Sequence, residues 1–354
     1  MSWVERLARP EIVALAPYQH AAWLPQLERM HANELPWRQP RDATRAGLNR
    51  YPEPQPRELV ARMAEIYAVA PECLLATRGS DEAIDLLVRA FCRAGEDAIL
   101  VCTPTFGMYT LAANIQGARV IDVPLRAADG FALDEEALLA RCTDRVKLVF
   151  LCSPNNPTGN LLCAESVLRI AAQLEDRALL VVDEAYIEFA SAPSLARRVR
   201  ALPQLALLRT LSKAHALAGA RCGALIAAAE LIALLRKVIS PYAIPQLTVE
   251  YVLDLLAPAQ LALLPQRVAA IQGERARLAQ NLQSCRAVAR VWPSAANFLL
   301  VDFINAESAA DALALSCAAG LLIRDVRRQP GLARALRISI GTSAQNDRLL
   351  EALR

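Results

Sequence analysis

Residues 178–186 read ALLVVDEAY, five apolar residues running straight into Asp183 and Glu184. A strand with one wet face alternates in polarity. One that is apolar throughout is covered on both faces, as in a parallel sheet lying between layers of helices. The same texture recurs outward along the chain in VKLVFLC (146–152), AILVCT (98–103), LALLRTLS (205–212) and CGALIA (222–227). Between these runs lie segments of helical period, at 81–93, 105–115, 163–175 and 191–200. The alternation predicts an α/β domain with a mostly parallel sheet and right-handed crossovers. Polar, glycine-bearing segments follow the strands: SPNNPTG (153–159), DEAY (183–186) and TLSKAHALAGARCG (210–223). Ligands of open α/β sheets bind beyond the carboxyl ends of the strands, so the site is expected there.

The texture differs on either side. Residues 1–45 read as an irregular arm, because Pro10, Pro17, Pro25, Pro36 and Pro40 interrupt it too often for long helices. YPEPQP (51–56) is extended, and apolar residues at 59, 60, 63, 66 and 67 then predict a helix over 57–69. After Pro241 a helical stretch (246–284) precedes two strands, NFLLVDF (297–303) and LRISIGT (336–342), and a closing helix near 343–353. The expected organisation is an arm (1–45) packing with the small domain, a large α/β domain (46–240) and a small α+β domain (241–354).

The composition excludes several classes. With 39 Lys+Arg and 36 Asp+Glu among 354 residues, the net charge is +3, which is too balanced for a nucleic-acid surface. No run approaches the ~18 uninterrupted apolar residues of a membrane span, and the charged N-terminus MSWVERLARPE is unlike a signal peptide. A cytoplasmic protein is expected. The nine cysteines form no C-x-x-C pair and the three histidines share no ligand spacing, so no metal is expected.

One count points at chemistry. Only three of the 39 basic residues are lysine: Lys147, Lys213 and Lys237. Lys213 follows the apolar run at 205–211, where loss of solvation lowers an amine's pKa and suits it to imine formation. Arg221, Thr210 and Ser212 are phosphate-binding types, and TRGSDEAIDLL (77–87) runs from a strand through Gly79 into a helix whose free amides suit an anion. Read alone, RGSDE is an ordinary helix start, Tyr186 a core residue with a wet tip, and SPNNPTG a loop. Together an amine, a phosphate cradle, a buried acid (Asp183), a phenol (Tyr186) and an amide (Asn156) match the needs of pyridoxal phosphate.

These residues resemble the fold-type I pyridoxal-phosphate aminotransferases, and within them the branch acting on histidinol phosphate. The resemblance rests on PYQ (17–19), NRYPE (49–53), RGSDEAIDLL (78–87), PTFGMY (104–109), SPNNPTG, VVDEAYIEF (181–189), RTLSKAHALAGARCG (209–223) and LRISIGT, in family order. It implies Lys213 as the lysine that binds the cofactor aldehyde and shuttles the substrate proton. Asp183 would partner the pyridine nitrogen, Asn156 and Tyr186 the ring oxygen, and Tyr109 would stack on the ring. Ser80, Asp81, Thr210, Ser212 and Arg221 would cradle the phosphate, joined by Tyr51 from the other subunit of a homodimer. Arg337 would grip the carboxylate of glutamate, Arg324 and Tyr18 the substrate phosphate, and Asn33 would line the site. The implied reaction moves an amino group between histidinol phosphate and 2-oxoglutarate, in histidine biosynthesis. Rivals are an aromatic-amino-acid aminotransferase, a phosphothreonine decarboxylase and a non-catalytic binder of the cofactor. NELP (33–36), His215 and Ala220 depart from the family pattern near the substrate pocket.

Overall fold

A computed structural model describes residues 2–20, 24 and 26–354; Pro25 of the arm lies outside them. Seven strands form the larger sheet: β1 (Leu74–Thr77), β2 (Ala98–Val101), β3 (Arg119–Asp122), β4 (Val146–Cys152), β5 (Leu179–Asp183), β6 (Leu205–Thr210) and β7 (Gly223–Ile226). Their order is β1-β7-β6-β5-β4-β2-β3. The pairs from β6 across to β3 are parallel, whereas β7 runs antiparallel to both β6 and β1. CGALIA is therefore the one antiparallel member of the expected parallel set. Its burial on both faces made it look like the others, since an interior strand is apolar whatever its direction.

The central runs are apolar throughout because successive residues feed two different cores. Leu180, Val182, Leu205 and Leu207 face one, beneath the helices Arg57–Tyr67 and Ala164–Gln173. Leu179, Val181, Ala206 and Leu208 face the other, beneath Gly79–Phe91, Met108–Gln116 and Ala229–Leu235. This parity reaches the site. Asp183 continues the face of Leu179 and Val181, which the helix Met108–Gln116 covers, while Arg209 continues the opposite face and lies over the Tyr67 ring.

A second, antiparallel sheet has the order β10-β11-β9-β8, from β8 (Val288–Val291), β9 (Phe298–Phe303), β10 (Arg324–Asp325) and β11 (Ala335–Ser339). It packs on the helices Leu264–Gln283, Ala306–Ala318 and Ser343–Leu353 through Leu278, Leu282, Phe303 and Leu350.

Several expectations need correction. The segment 191–200 holds only a 3-10 turn at Leu195–Arg198, because Pro193 and the Ser194 side chain, which accepts from the Ala196 amide, open the chain there. The stretch 246–284 divides into Gln246–Leu255, Pro258–Leu261 and Leu264–Gln283, with Pro258 and Pro265 each in a first helical turn. The first of these pieces packs on the helix Arg57–Tyr67 and buries Val249 and Val252 in the large-sheet core, so the residues just after 241 belong with the large body. The arm also begins on that body: Val4 and Leu7 join its core, and the Arg9 amide donates to the Ala90 carbonyl at 3.0 Å.

Candidate active site

Beyond the carboxyl ends of β4, β5 and β6 lies a cavity of about 510 Å³. Eleven of the expected site residues line it: Ser80, Asp81, Asn156, Asp183, Tyr186, Thr210, Ser212, Lys213, Arg221, Arg324 and Arg337. Lys213 stands on a loop closed where the Leu211 amide donates to the Cys222 carbonyl and the Leu217 amide to the Leu211 carbonyl, both at 3.0 Å. Its Nζ lies 5.5 Å from the centre of the Tyr186 ring. Desolvation lowers its pKa, as does the guanidinium of Arg337, while Asp183 and Asp81 oppose them. The other two lysines are engaged elsewhere, Lys147 with the Asp144 carbonyl and Lys237 with the Val13 carbonyl, each at 2.9 Å.

Asp183 is buried, and desolvation pushes its pKa up to about 6 against the hydrogen bonds it accepts. The Tyr109 hydroxyl donates to it at 2.7 Å and the Ala185 amide at 3.0 Å. The anion cradle sits opposite. No side chain caps the helix Gly79–Phe91, so its first-turn amides are open. Around it stand Ser80, the Thr210 and Ser212 hydroxyls, 2.9 Å apart, and Arg221, whose Nη2 donates to Asp81 at 3.1 Å. Arg221 itself is left-handed (φ 50°). Gly79 has φ +75°, and a Cβ there would come within 2.9 Å of Arg221 Nη2. A Cβ on Gly223 would meet the Arg209 carbonyl at 2.7 Å and Gly79 backbone at 2.9 Å, so β7 can close on the cradle only without a side chain.

The two asparagines of SPNNPTG divide the work. Asn155 is buried and satisfied internally, donating to the Pro104 carbonyl at 2.9 Å and to Thr158 Oγ1 at 2.6 Å while accepting from Thr105 at 2.9 Å. Asn156 faces the cavity and accepts from Arg337 Nη1 at 2.5 Å. Arg324 and Arg337 stand directly opposite each other in the β10–β11 register. Phe298 packs against the Tyr186 ring edge-on at 5.1 Å and lies under the Arg337 guanidinium at 5.2 Å.

Four expected residues are elsewhere. Tyr109 does not line the cavity. Its helix starts after Gly107, which puts residues 109, 112 and 113 on the buried stripe, and its ring stacks on Phe150 at 4.8 Å. Of the two aromatics in PTFGMY it is Phe106 that lines the cavity, and nothing in that motif distinguishes it from Tyr109. Tyr51 and Asn33 line a separate hollow with Glu34 and Pro245. Tyr51 stacks on Tyr242 at 4.8 Å, and Tyr18, 63 % exposed, meets His20 beside it. His215 faces yet another cavity, with Tyr251 and Leu264, and burial lowers its pKa. The cavity-lining residues that sequence reading missed are chiefly Phe106, Val326 and Gln329.

Residues 30–353 match the family model for aminotransferase class I and II. The chain belongs to this aminotransferase family. A histidinol-phosphate aminotransferase of Stenotrophomonas maltophilia (strain R551-3) is 48 % identical to this aminotransferase over 357 residues, covering 98 % of this chain and 95 % of the relative. One from Xylella fastidiosa (strain 9a5c) is 49 % identical over 327 residues, covering 92 % and 88 %. Among solved structures, the histidinol-phosphate aminotransferase of Sinorhizobium meliloti, in complex with pyridoxal-5'-phosphate, aligns with a TM-score of 0.78 at 28 % identity, covering 86 % of this chain and 82 % of that one.

Proposed function

We propose that this aminotransferase is a pyridoxal-phosphate enzyme that moves an amino group between histidinol phosphate and 2-oxoglutarate, in histidine biosynthesis. The observation that carries the reading is that one cavity brings together Lys213, a buried carboxylate, an anion cradle and two opposed arginines. The names of the relatives supply the substrate. We assign the protein to the cytoplasm, in keeping with nine cysteines that are all free and mostly buried, and to a homodimer.

The residues present fit the cofactor. The open helix start with Ser80, Thr210, Ser212 and Arg221 is a cradle for a phosphate dianion, and the close approaches at Gly79 and Gly223 keep it small. When bound, pyridoxal phosphate supplies an aldehyde that captures amines and a ring that takes up the electron pair left on the substrate α-carbon. Lys213 would hold the aldehyde carbon at rest and, once displaced by the substrate amine, remove the α-proton through the same Nζ; its lowered pKa suits a general base. Asp183 would keep the ring nitrogen protonated, and Tyr109 and the Ala185 amide orient that carboxylate. Tyr186 and Asn156 would bond the ring oxygen. Arg337 would take the carboxylate of glutamate by charge-assisted bonds and Arg324 the phosphate of the other substrate.

Borohydride reduction of the holoenzyme followed by peptide mapping should place the pyridoxyl group on Lys213, and Lys213→Ala should lose both the visible absorbance and nearly all transamination. Single-turnover reactions with histidinol phosphate, phenylalanine and phosphothreonine should favour the first. A label on Lys147 or Lys237 would overturn the site, and preference for another amine would overturn the substrate.

A further inference from the structure

The turn after β10 carries a side chain that the reaction as described leaves unused. Gln329 lines the same cavity as Lys213, Arg324 and Arg337. Its Oε1 is closed off from solvent and has no hydrogen-bond partner among the described residues. The main chain around it is committed: the Gln329 amide donates to the Val326 carbonyl at 2.9 Å, and its carbonyl accepts from the Leu332 amide at 3.2 Å. Val326 and Leu332 are packed in the large core, which anchors the turn on both sides of the glutamine. A buried acceptor left unmet is costly, so a wall of this kind is complete only when something in the cavity donates to it. A second unmet atom in the same cavity is its complement. Arg337 Nε, also buried and unpartnered, is a donor and calls for an anionic group. A ligand that satisfies both carries an anion and, apart from it, an N–H or O–H.

We infer that Gln329 accepts a hydrogen bond from a donor on the substrate's side chain and thereby selects the donor-bearing substrate. The inference rests on the functional reading above, in which one substrate carries an imidazole N–H and the other, glutamate, has no side-chain donor when ionised. A site built around such a bond discriminates strongly, because a substrate without the donor leaves the buried amide oxygen unpaired. It assigns the two substrates different contacts in one cavity: the arginines serve the anionic groups of both, and Gln329 serves histidinol phosphate alone.

The test is the single-turnover kinetics of the holoenzyme, wild type and Gln329→Leu, with histidinol phosphate, glutamate and phenylalanine, each over a range of concentrations so that apparent affinity and rate separate. Gln329→Leu should lower the efficiency with histidinol phosphate by about 5- to 100-fold, the range for loss of a partner to a buried donor. Efficiency with glutamate and phenylalanine should change little. Gln329→Glu, which keeps an acceptor oxygen, should retain histidinol phosphate turnover better than Gln329→Leu. If the leucine variant does not fold, Gln329→Asn, which withdraws the amide by one methylene, must show the same selective loss. Equal losses for all three substrates, or an unchanged efficiency with histidinol phosphate, would overturn the proposal while leaving the transaminase reading intact. Wild-type enzyme inert toward histidinol phosphate but active on phenylalanine would overturn the functional reading and the proposal together.

Discussion

Asp183 shows what a single residue surrenders for function. Burial raises its pKa from 3.8 to about 6, so between those values the folded protein holds a proton that the unfolded chain has released. Stability must therefore fall as pH rises through that window, and at neutral pH the ionised carboxylate costs the cofactor-free protein about 3 kcal/mol. Asp183→Asn removes the charge and keeps the shape. The apoprotein variant should unfold at higher urea than wild type at pH 7 to 8, with the gap closing as pH is lowered toward 4, while cofactor affinity drops at least tenfold. A gap that does not change with pH would show that Asp183 is not the titrating group. The position of Asp183 was legible because it ends an apolar run, where a polar group is conspicuous, and that of Lys213 because lysine is rare in this chain and this one follows a strand. Tyr109 was not, since which of Phe106 and Tyr109 faces the cavity depends on where the helix starts, and Gly107 leaves no clear signal of that start. Gln329 was invisible for a similar reason: its side chain reaches the cavity only because Val326 and Leu332 fasten its turn to a core far away in sequence.

At the scale of elements, the cradle depends on how closely β7 approaches the start of the helix Gly79–Phe91. Gly223 pairs with Thr77 of β1 and Thr210 of β6, and no side chain fits there. Gly223→Ala must push backbone against backbone, which costs about 1–3 kcal/mol by overpacking and should spread the cradle enough to weaken cofactor binding about tenfold or more. Gly219→Ala, in the turn just before β7, is the matched control, since a Cβ there meets nothing within 4 Å; its effect should stay within about 0.5 kcal/mol. Urea unfolding and equilibrium dialysis of the cofactor separate the two variants, and equal effects would remove the argument from close approach. The central strands were readable from sequence because each feeds two cores. β3 (RVID) was not, because it lies at the sheet edge with an exposed Arg119 and a polar Asp122 that accepts from Thr103. The division of the helical stretch 246–284 was signalled by Pro258 and Pro265, but proline in a first turn is compatible with a helix and marks only its beginning.

On the scale of the whole molecule, the later part of the arm is tied to residues 50 and 51 by one carboxylate and yet leaves several apolar side chains in solvent. Glu34, its side chain 3 % exposed, binds Arg29 at 2.8 Å and Arg50 at 3.0 Å and accepts from the Tyr51 amide at 2.7 Å. Around that knot Met30, Leu35, Trp37 and Leu48 are exposed, as are Leu247 and Tyr251 nearby in sequence to the Tyr242 that stacks on Tyr51. Exposed apolar side chains suit a subunit interface, and Tyr51 lies outside its own chain's large cavity. In the homodimer proposed above, the family resemblance implies that Tyr51 completes the phosphate cradle of the other subunit. Protomers carrying Lys213→Ala and protomers carrying Tyr51→Ala, mixed and allowed to exchange, test this at limiting cofactor. If Tyr51 reaches across, each mixed dimer has one site with both defects and one with neither. Random association makes about half the dimers mixed, so activity should recover to roughly a quarter of wild type. If Tyr51 serves its own subunit, every site keeps one defect and mixing restores nothing. Pull-down of differently tagged protomers establishes that exchange has occurred, and Tyr51→Ala alone must be clearly impaired at that cofactor concentration. Failure to recover under those two conditions would place Tyr51 outside any shared site and leave the exposed arm without this role.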